Sequence, residues 1–338
     1  MAELKELDEE LKRKNLGGFW NIFEGEVYKE PSSLLEPCLW KWRDVYDAVE
    51  KAGEMISVDS TSRRAIRLLN PSPSKKTTTN TLALAFQLVK PGEHAPAHRH
   101  TQGAVRFVIK GKDAHCVVGG ESFSVSAGDF LTTPNWVWHD HVNDSDQTLL
   151  FLDGLDNPLV RLLEIGFHEP FKEKIQPISR PENSSIYELS PTRPNWVRSN
   201  SIQPPPYCYR WEDTEKVLNS VGERPGDAYE GILLHYVNPL TGGSTLPTLS
   251  CAIQMLRPQE KTKSHRHTSS AIYHVFRGKG STVIGDMRYE WETGDSFVVP
   301  LWRFHHHENT SDKEAVLFVM TDKPVMDALG YYREEAAG

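Results

Sequence analysis

The chain repeats itself, and that repetition limits its fold more than any other feature. Phe86–His100 (FQLVKPGEHAPAHRH) lies over Ile253–His267 (IQMLRPQEKTKSHRH) at an offset of 167 residues. This brings Gln87 onto Gln254, Pro91 onto Pro258, Glu93 onto Glu260, His98 onto His265 and His100 onto His267, and Gly111 falls on Gly278. One residue is then lost, and Gly128–Asn143 (GDFLTTPNWVWHDHVN) lies over Gly294–Asn309 (GDSFVVPLWRFHHHEN) at an offset of 166. The register still holds where Asp156-Asn157-Pro158 meets Asp322-Lys323-Pro324. A match this long means one fold present twice.

Each copy reads as an antiparallel β domain. TLALAFQLV, AVRFVIKG, HCVVGGESFSVS and QTLLFLDG are short runs rich in β-branched and aromatic residues, divided by turns such as Lys90-Pro91-Gly92 and Ala127-Gly128-Asp129. Evenly spaced strands of this kind close into a sandwich or barrel. The expected division is an N-terminal helical or arm region over 1–80, a first β domain over 81–165, a linker with covering elements over 166–245, and a second β domain over 246–338. Helical candidates are Glu3–Lys14, Leu39–Ala52 and a segment near Trp211–Val221; the second places Trp42, Val45 and Val49 on one face. The connecting region is marked by Pro177, Pro181, Pro191, Pro194 and Pro204-Pro205-Pro206.

Composition closes off several functions. A net charge of −8 over 338 residues argues against nucleic-acid binding through bulk positive charge and against a polybasic membrane anchor. The longest apolar stretch, around Leu82–Val89, is far short of the ~20 residues of a membrane helix. The charged N-terminus has no apolar signal core. Cys38, Cys116, Cys208 and Cys251 are widely spaced, which fits reduced thiols and a cytoplasmic protein.

The histidines carry the chemistry. His98 and His100 are two residues apart, so on a strand both imidazoles leave the same face and converge on one ion. His139 follows a Pro134–Trp136 strand signal and supplies a third ligand from another strand. Neutral imidazole suits Fe, Zn, Ni and Cu. His265, His267 and His305 repeat the set in the second copy and form a second candidate site.

The spacing Gly92-x5-His98-x-His100-x10-Gly111, followed by Gly128-x5-Pro134 and His139-x3-Asn143, resembles the two cupin motifs, and both recur. The resemblance implies an all-β bicupin: two jelly-roll barrels with an N-terminal helical segment and an interdomain linker. Many cupins place a glutamate ligand after the HxH pair; here Ala104 and Ala271 stand in that region. Three neutral ligands leave a divalent ion its full charge, which favours substrates that bring their own carboxylate. Zinc with three histidines and a water is the rival, giving hydrolysis or hydration.

PAHRHTQGAVRFVIKG, PNWVWHDHVN and FLDGLDNPLV, with RRAIRLLNP upstream and HRHTSSAIYHVFRG in the second half, resemble the gentisate 1,2-dioxygenase family, which includes salicylate and 1-hydroxy-2-naphthoate dioxygenases. The likeness runs from about Trp40 to Tyr331. It implies one Fe(II) per subunit in the first barrel, a small aromatic hydroxy acid and dioxygen as partners, and a homotetramer. The ring opens between the carboxyl- and hydroxyl-bearing carbons, and both oxygen atoms are incorporated.

Side-chain chemistry suggests roles within that reading. Arg106, at an even offset from His98 and His100, faces the barrel interior if the strand is unbroken, and a guanidinium there grips a carboxylate bidentately. Gln87 hydrogen-bonds substrate or oxygen. His141, two residues from His139, handles the phenolic proton, and Asp153 orients His141 or receives a proton from a ring hydroxyl. Ala83 and Ala85 alternate with Gln87 and leave room for a ring. Of Arg63 and Arg64, Arg64 is expected to close over the substrate, while Trp136 and Trp138 are expected to pack.

The second copy keeps its three histidines, Gln254 and His307, but has Tyr273 where Arg106 stands and Val319 where Asp153 stands. Chemistry is therefore expected in the first barrel, on gentisate ahead of salicylate or 1-hydroxy-2-naphthoate, because a second hydroxyl para to the first enriches the ring. A metal bicupin acting on another acid, such as an oxalate decarboxylase or a sugar-phosphate isomerase, generally needs the missing carboxylate ligand. A storage or sensor bicupin would leave two complete histidine sets without use.

Overall fold

A computed structural model describes residues 2–20, 29–61, 63–72, 76–180 and 204–338; Pro181, Pro191 and Pro194 lie outside the described residues. The chain divides into two compact units, Met1–Ser33 and Leu34–Gly338. The first holds α1 (Ala2–Arg13), with Glu3 in its first turn and Lys12 and Arg13 in its last, each sign opposing the helix dipole.

The second unit opens with β1 (Cys38–Trp40), α2 (Trp42–Met55), the one-turn α3 (Val58–Thr61) and β2 (Ala65–Arg67). Barrel 1 follows as β3 (Ala83–Val89), β4 (His94–His100), β5 (Ala104–Lys110), β6 (Ala114–Val118), β7 (Glu121–Val125), β8 (Phe130–Thr133), β9 (His139–Val142) and β10 (Leu149–Leu155). The connection carries α4 (Asn157–Leu162), β11 (His168–Pro170), β12 (Cys208–Tyr209), α5 (Trp211–Val221) and β13 (Ile232–Tyr236). Barrel 2 is β14 (Ser250–Leu256), β15 (His265–His267), β16 (Ala271–Arg277), β17 (Lys279–Ile284), β18 (Met287–Glu292), β19 (Ser296–Val299), β20 (His305–Glu308) and β21 (Ala315–Thr321). The chain then runs through α6 (Lys323–Ala328) and β22 (Glu334–Ala336).

Each barrel is a six-stranded sheet facing a five-stranded one, the jelly-roll bicupin expected. The six-stranded sheets run β12-β8-β5-β10-β3-β2 and β1-β19-β16-β21-β14-β13; the five-stranded ones run β11-β4-β9-β6-β7 and β18-β17-β20-β15-β22. The six-stranded sheets are buried on both faces. One face of β3 turns Leu84, Phe86 and Leu88 into a core shared with Ile253, Met255, Phe318 and Met320 of barrel 2, where Phe107 stacks on Phe318 at 4.7 Å. The other face of β3 points into barrel 1. That double burial explains the nearly continuous apolar character of Leu82–Val89.

Part of the N-terminal region is built into the barrels. From Leu34 on it belongs to the same unit, and its strands are exchanged: β1 pairs with β19 of barrel 2, whereas β12, just before barrel 2, pairs with β8 of barrel 1. The helices cross in the same way. Asp295 accepts hydrogen bonds from Trp42 N (2.8 Å) and Lys41 Nζ (2.7 Å), and Asp129 accepts them from Trp211 N (2.8 Å) and Arg210 Nη1 (3.0 Å). Each aspartate thus caps a helix N-terminus that belongs to the other repeat. Gly128 and Gly294, both at φ near +90°, bring the backbone against Trp211 and Trp42, where a Cβ would lie 2.5 Å and 2.3 Å from the indole. The repeating unit therefore includes a strand and a helix ahead of each barrel.

Candidate metal and anion site

Pairing of β4 with β9 sets His98 opposite His139, and the period of two places His100 on the same face as His98. The three rings have centroids 4.3 to 5.2 Å apart, and one nitrogen from each lies within 4.8 Å of the others. Backbone carbonyls orient them. His100 Nδ1 donates to Gln102 O (3.0 Å) and His139 Nδ1 to Val137 O (2.9 Å), while His98 Nδ1 lies 3.2 Å from Pro96 O. The carbonyl contacts of His100 and His139 commit their Nδ1 atoms and leave Nε2 for a ligand, and His139 Nε2 is buried with no hydrogen-bond partner. Carbonyl-held Nδ1 with a bare Nε2 is the arrangement of a metal-ligating imidazole. Burial first, then the positive charge of Arg63 and Arg106, keeps the rings neutral: His98 is pushed down to about 2, His100 to about 4, and His139 well below its usual range.

Arg106 sits on β5, 2% exposed, and donates from Nη1 to Thr133 Oγ1 (2.5 Å). Its orientation does not come from an unbroken strand. β4 ends at His100 and β5 begins at Ala104 in the opposite sheet, where Val105 and Phe107 take the inter-barrel face and leave Arg106 the interior. Across β10 its register partner is Asp153, with Nε 3.4 Å from Oδ1, yet neither atom makes a hydrogen bond. Burial raises the Asp153 carboxyl above its ordinary range, against the pull of Arg106. Arg106 and His141 both lie against Phe151, at 5.7 and 4.9 Å from its centroid.

Other expected residues divide. Gln87 is buried on β3, and neither its Nε2 nor its Oε1 has a hydrogen-bond partner; Ala85 lies in register with Asp153, and Ala83 is two residues away on the same face. His141 faces inward on β9, its Nε2 unpartnered, and burial holds it neutral. Asp153 does not orient His141: Cys116 Sγ is the group beside His141 Nδ1, at 3.2 Å, while Asp153 faces Arg106. Trp136 and Trp138 each have the Arg99 guanidinium 4.5 Å from the ring centroid, and Trp136 is 40% exposed.

Arg64 is not at the triad. Its guanidinium pairs with Glu93 and donates to Ile56 O (3.0 Å) and Leu88 O (3.3 Å), a clamp behind β3. Arg63 points the other way, donating to Pro96 O (3.0 Å) with Nη2 2.5 Å from His98 Nδ1. Burial, opposed by Asp153 and reinforced by Arg106, brings the Arg63 guanidinium down to about 9. Two guanidinium groups and three neutral imidazoles thus gather in one hollow with the carboxyl of Asp153, a charge pattern suited to an anion that also ligates a cation.

His265, His267 and His305 form the matching cluster in barrel 2, with ring centroids 4.5 to 5.5 Å apart. Tyr273 and Val319 face each other where Arg106 and Asp153 do in barrel 1.

Comparison with known proteins agrees with this geometry. The Cupin domain profile matches residues 85–154 and again 252–321. The chain is 40% identical to 5-aminosalicylate 1,2-dioxygenase of Comamonas sp, over 99% of this chain and 91% of that protein. It is 36% identical to gentisate 1,2-dioxygenase 1 of Aquipseudomonas alcaligenes, over 98% and 96%. Salicylate 1,2-dioxygenase from Pseudoaminobacter salicylatoxidans, solved with gentisate, superposes with a TM-score of 0.91 at 32% identity, covering 100% of this chain and 95% of that one. Among the described residues no helix is long and apolar enough to cross a membrane.

Proposed function

The chain belongs to the gentisate 1,2-dioxygenase family of ring-cleaving bicupins, and we propose that it opens gentisate (2,5-dihydroxybenzoate) to maleylpyruvate using Fe(II) held by His98, His100 and His139. One observation carries the reading. Arg106 is a guanidinium buried beside the triad, close enough to help depress His100, His139 and His141, with its Nε unbonded. A buried cation with donors to spare is matched by a carboxylate brought from solution.

The donor set suits ferrous iron. Three neutral imidazoles without a carboxylate leave the ion its charge for an anionic chelate, and bound iron supplies the electron transfer that lets an aromatic ring react with dioxygen. The protein's own groups do the rest. Arg106 binds the substrate carboxylate, Arg63 adds a second positive charge from the His98 side, and Gln87 offers both a donor and an acceptor. His141, whose Nε2 faces the hollow without a partner, accepts the ring hydroxyl there and handles its proton. Ala83 and Ala85 leave space for the ring, and the apolar wall around Phe151 excludes water from the charged groups.

A second substrate is favoured by the 40% identity to 5-aminosalicylate 1,2-dioxygenase. An amine at ring position 5 donates electrons as the hydroxyl of gentisate does, whereas salicylate has no substituent there. Anaerobic loading with Fe(II), followed by oxygen uptake with gentisate, 5-aminosalicylate, salicylate and 1-hydroxy-2-naphthoate, tests the assignment. The expected result is one dioxygen consumed per gentisate, with the highest kcat/KM among the four. Absence of uptake with gentisate would defeat it, and a higher kcat/KM for 5-aminosalicylate would move the assignment to the amine.

A further inference from the structure

The two histidine clusters are flanked by side chains of opposite charge. β2 pairs with β3 so that Ala65 is opposite Gln87, and β13 pairs with β14 so that Leu233 is opposite Gln254. The residues just ahead of these edge strands enter their barrels at the same corner. In barrel 1 that residue is Arg63, 2.5 Å from His98; in barrel 2 it is Glu230, whose Oε1 is 3.4 Å from His265 Nε2. The other flank also sets a carboxylate opposite a histidine only in barrel 2. β11 sets His168 opposite His100, and β22 sets Glu334 opposite His267. His168 stacks on His98, while Glu334 Oε1 accepts from His265 Nδ1 at 3.0 Å.

We propose that barrel 2 holds a resident divalent transition-metal ion on His265, His267, His305 and the carboxylate of Glu230, and that this carboxylate closes the site to the anionic aromatic acids taken by barrel 1. Every Nδ1 is held by an acceptor: His265 by Glu334, His267 by Ser269 O (2.8 Å) and His305 by Arg303 O (3.0 Å). The buried Nε2 atoms of His265 and His305 make no hydrogen bond. Two ligand atoms each bonded at roughly 2.1 Å to one ion stand about 3 to 3.5 Å apart, which is the separation of Glu230 Oε1 from His265 Nε2. Glu230 is also held in place, because Gln254 Nε2 donates to its Oε2 (2.8 Å) and to its backbone oxygen (2.9 Å). The equivalent Gln87 keeps its amide unbonded. A 580 Å³ cavity touching Glu230, His265, His267 and Glu334 gives the ion a way in.

A fourth, anionic ligand lowers the net charge of the centre and takes a position that an incoming chelate needs. Tyr273 stands in place of Arg106, so the guanidinium that faces the first triad has no counterpart at its register position in barrel 2. The site retains a cation and turns nothing over.

Cobalt(II) is the probe. Chelator-stripped full-length protein is reloaded with Co(II) and desalted, then assayed for cobalt per subunit and for d–d absorption. Wild type retains two cobalt ions, His100→Ala retains one, and gentisate leaves the spectrum of that remaining ion unchanged. Adding Glu230→Gln to His100→Ala weakens the retained cobalt at least tenfold, and Glu230→Asp in the same background recovers part of it. The Gln variant is nearly isosteric, and far-UV circular dichroism verifies its fold; His267→Ala provides an independent removal. One cobalt in folded wild type, an unchanged affinity in the Glu230→Gln protein, or a gentisate-shifted spectrum in His100→Ala would overturn the proposal. No readout needs turnover, so failure here is separate from failure of the gentisate assignment, which rests on oxygen uptake in barrel 1.

Discussion

Arg106 and Asp153 face each other across neighbouring strands, 3.4 Å apart, without a hydrogen bond between them. An ion pair this buried and this poorly aligned gives little back for its desolvation, so its place in the fold is explained by what the guanidinium can bind. Asp153 offsets the charge of Arg106 while leaving donors for a carboxylate. Arg106→Ala is expected to lower kcat/KM for gentisate by at least 100-fold, the scale of losing a buried charge-assisted contact. Iron content should stay at the wild-type level, since Arg106 holds no ligand in place. Metal analysis alongside steady-state oxygen uptake checks both, and a variant that keeps its kcat/KM would remove Arg106 from the substrate site.

The two adjacent arginines should separate cleanly by readout. Arg64 pairs with Glu93 and two carbonyls, so Arg64→Ala leaves a carboxylate and two backbone acceptors without their partner and is expected to cost about 2 kcal/mol, less than a fully buried pair because Glu93 is a quarter exposed. Arg63→Ala is expected to raise KM for gentisate at least tenfold with a smaller change in melting temperature. Thermal denaturation and kinetics on the same two proteins decide the matter; the reverse pattern would return the substrate role to Arg64.

The triad was legible because strand period and chemistry coincide: residues two apart share a face, and imidazoles on one face meet. Arg63 and Arg64 were not separable that way. Neighbours on an extended chain point to opposite sides, and which side is the cavity depends on Glu93, nearly thirty residues away. Parity counted from His98 to Arg106 reached the right face through a strand that is in fact interrupted between His100 and Ala104. Sequence alone does not fix the partner of Asp153: cross-strand register assigns it to Arg106 and leaves His141 to Cys116. Exchange of β1 and β12 between barrels leaves only a faint trace, Lys41-Trp42-Arg43-Asp44 against Arg210-Trp211-Glu212-Asp213, too short to notice without the aspartates that cap both helices.

That exchange predicts paired effects. Asp129→Ala and Asp295→Ala each remove a helix cap and a charged contact between repeats, so each is expected to cost about 1 to 2 kcal/mol, by similar amounts. Gly128→Ala and Gly294→Ala should be worse, because a Cβ meets indole carbons in a backbone conformation that alanine resists. Melting temperatures of the four single variants test the symmetry, and a harmless substitution at one repeat with a severe one at the other would contradict it.

A second reciprocal pair gives the fold a pH dependence. Asp156 Oδ2 accepts from Thr248 and Oδ1 from Gly103 N, while Asp322 accepts from Thr81 and Ser270 N, so each carboxylate ties its own repeat to the other. Burial outweighs these bonds and raises both groups to about 6, against 3.8 for a free aspartate. A carboxyl with a raised folded pKa binds its proton more tightly in the folded state than in the unfolded one. Its effect on stability is therefore most favourable below about pH 4 and is lost as the pH climbs through about 6. A two-unit shift corresponds to at most about 3 kcal/mol for each group. In the Asp156→Asn/Asp322→Asn double variant the amide oxygens still accept the backbone N–H groups and the threonine hydroxyls can turn to accept from the amides. The double variant is expected to gain on the wild type between pH 4.5 and pH 7, by several kcal/mol at most. Urea or thermal unfolding of both proteins at those two pH values measures the difference, and an equal gap at both would show that these aspartates ionise alike in the folded and unfolded chains.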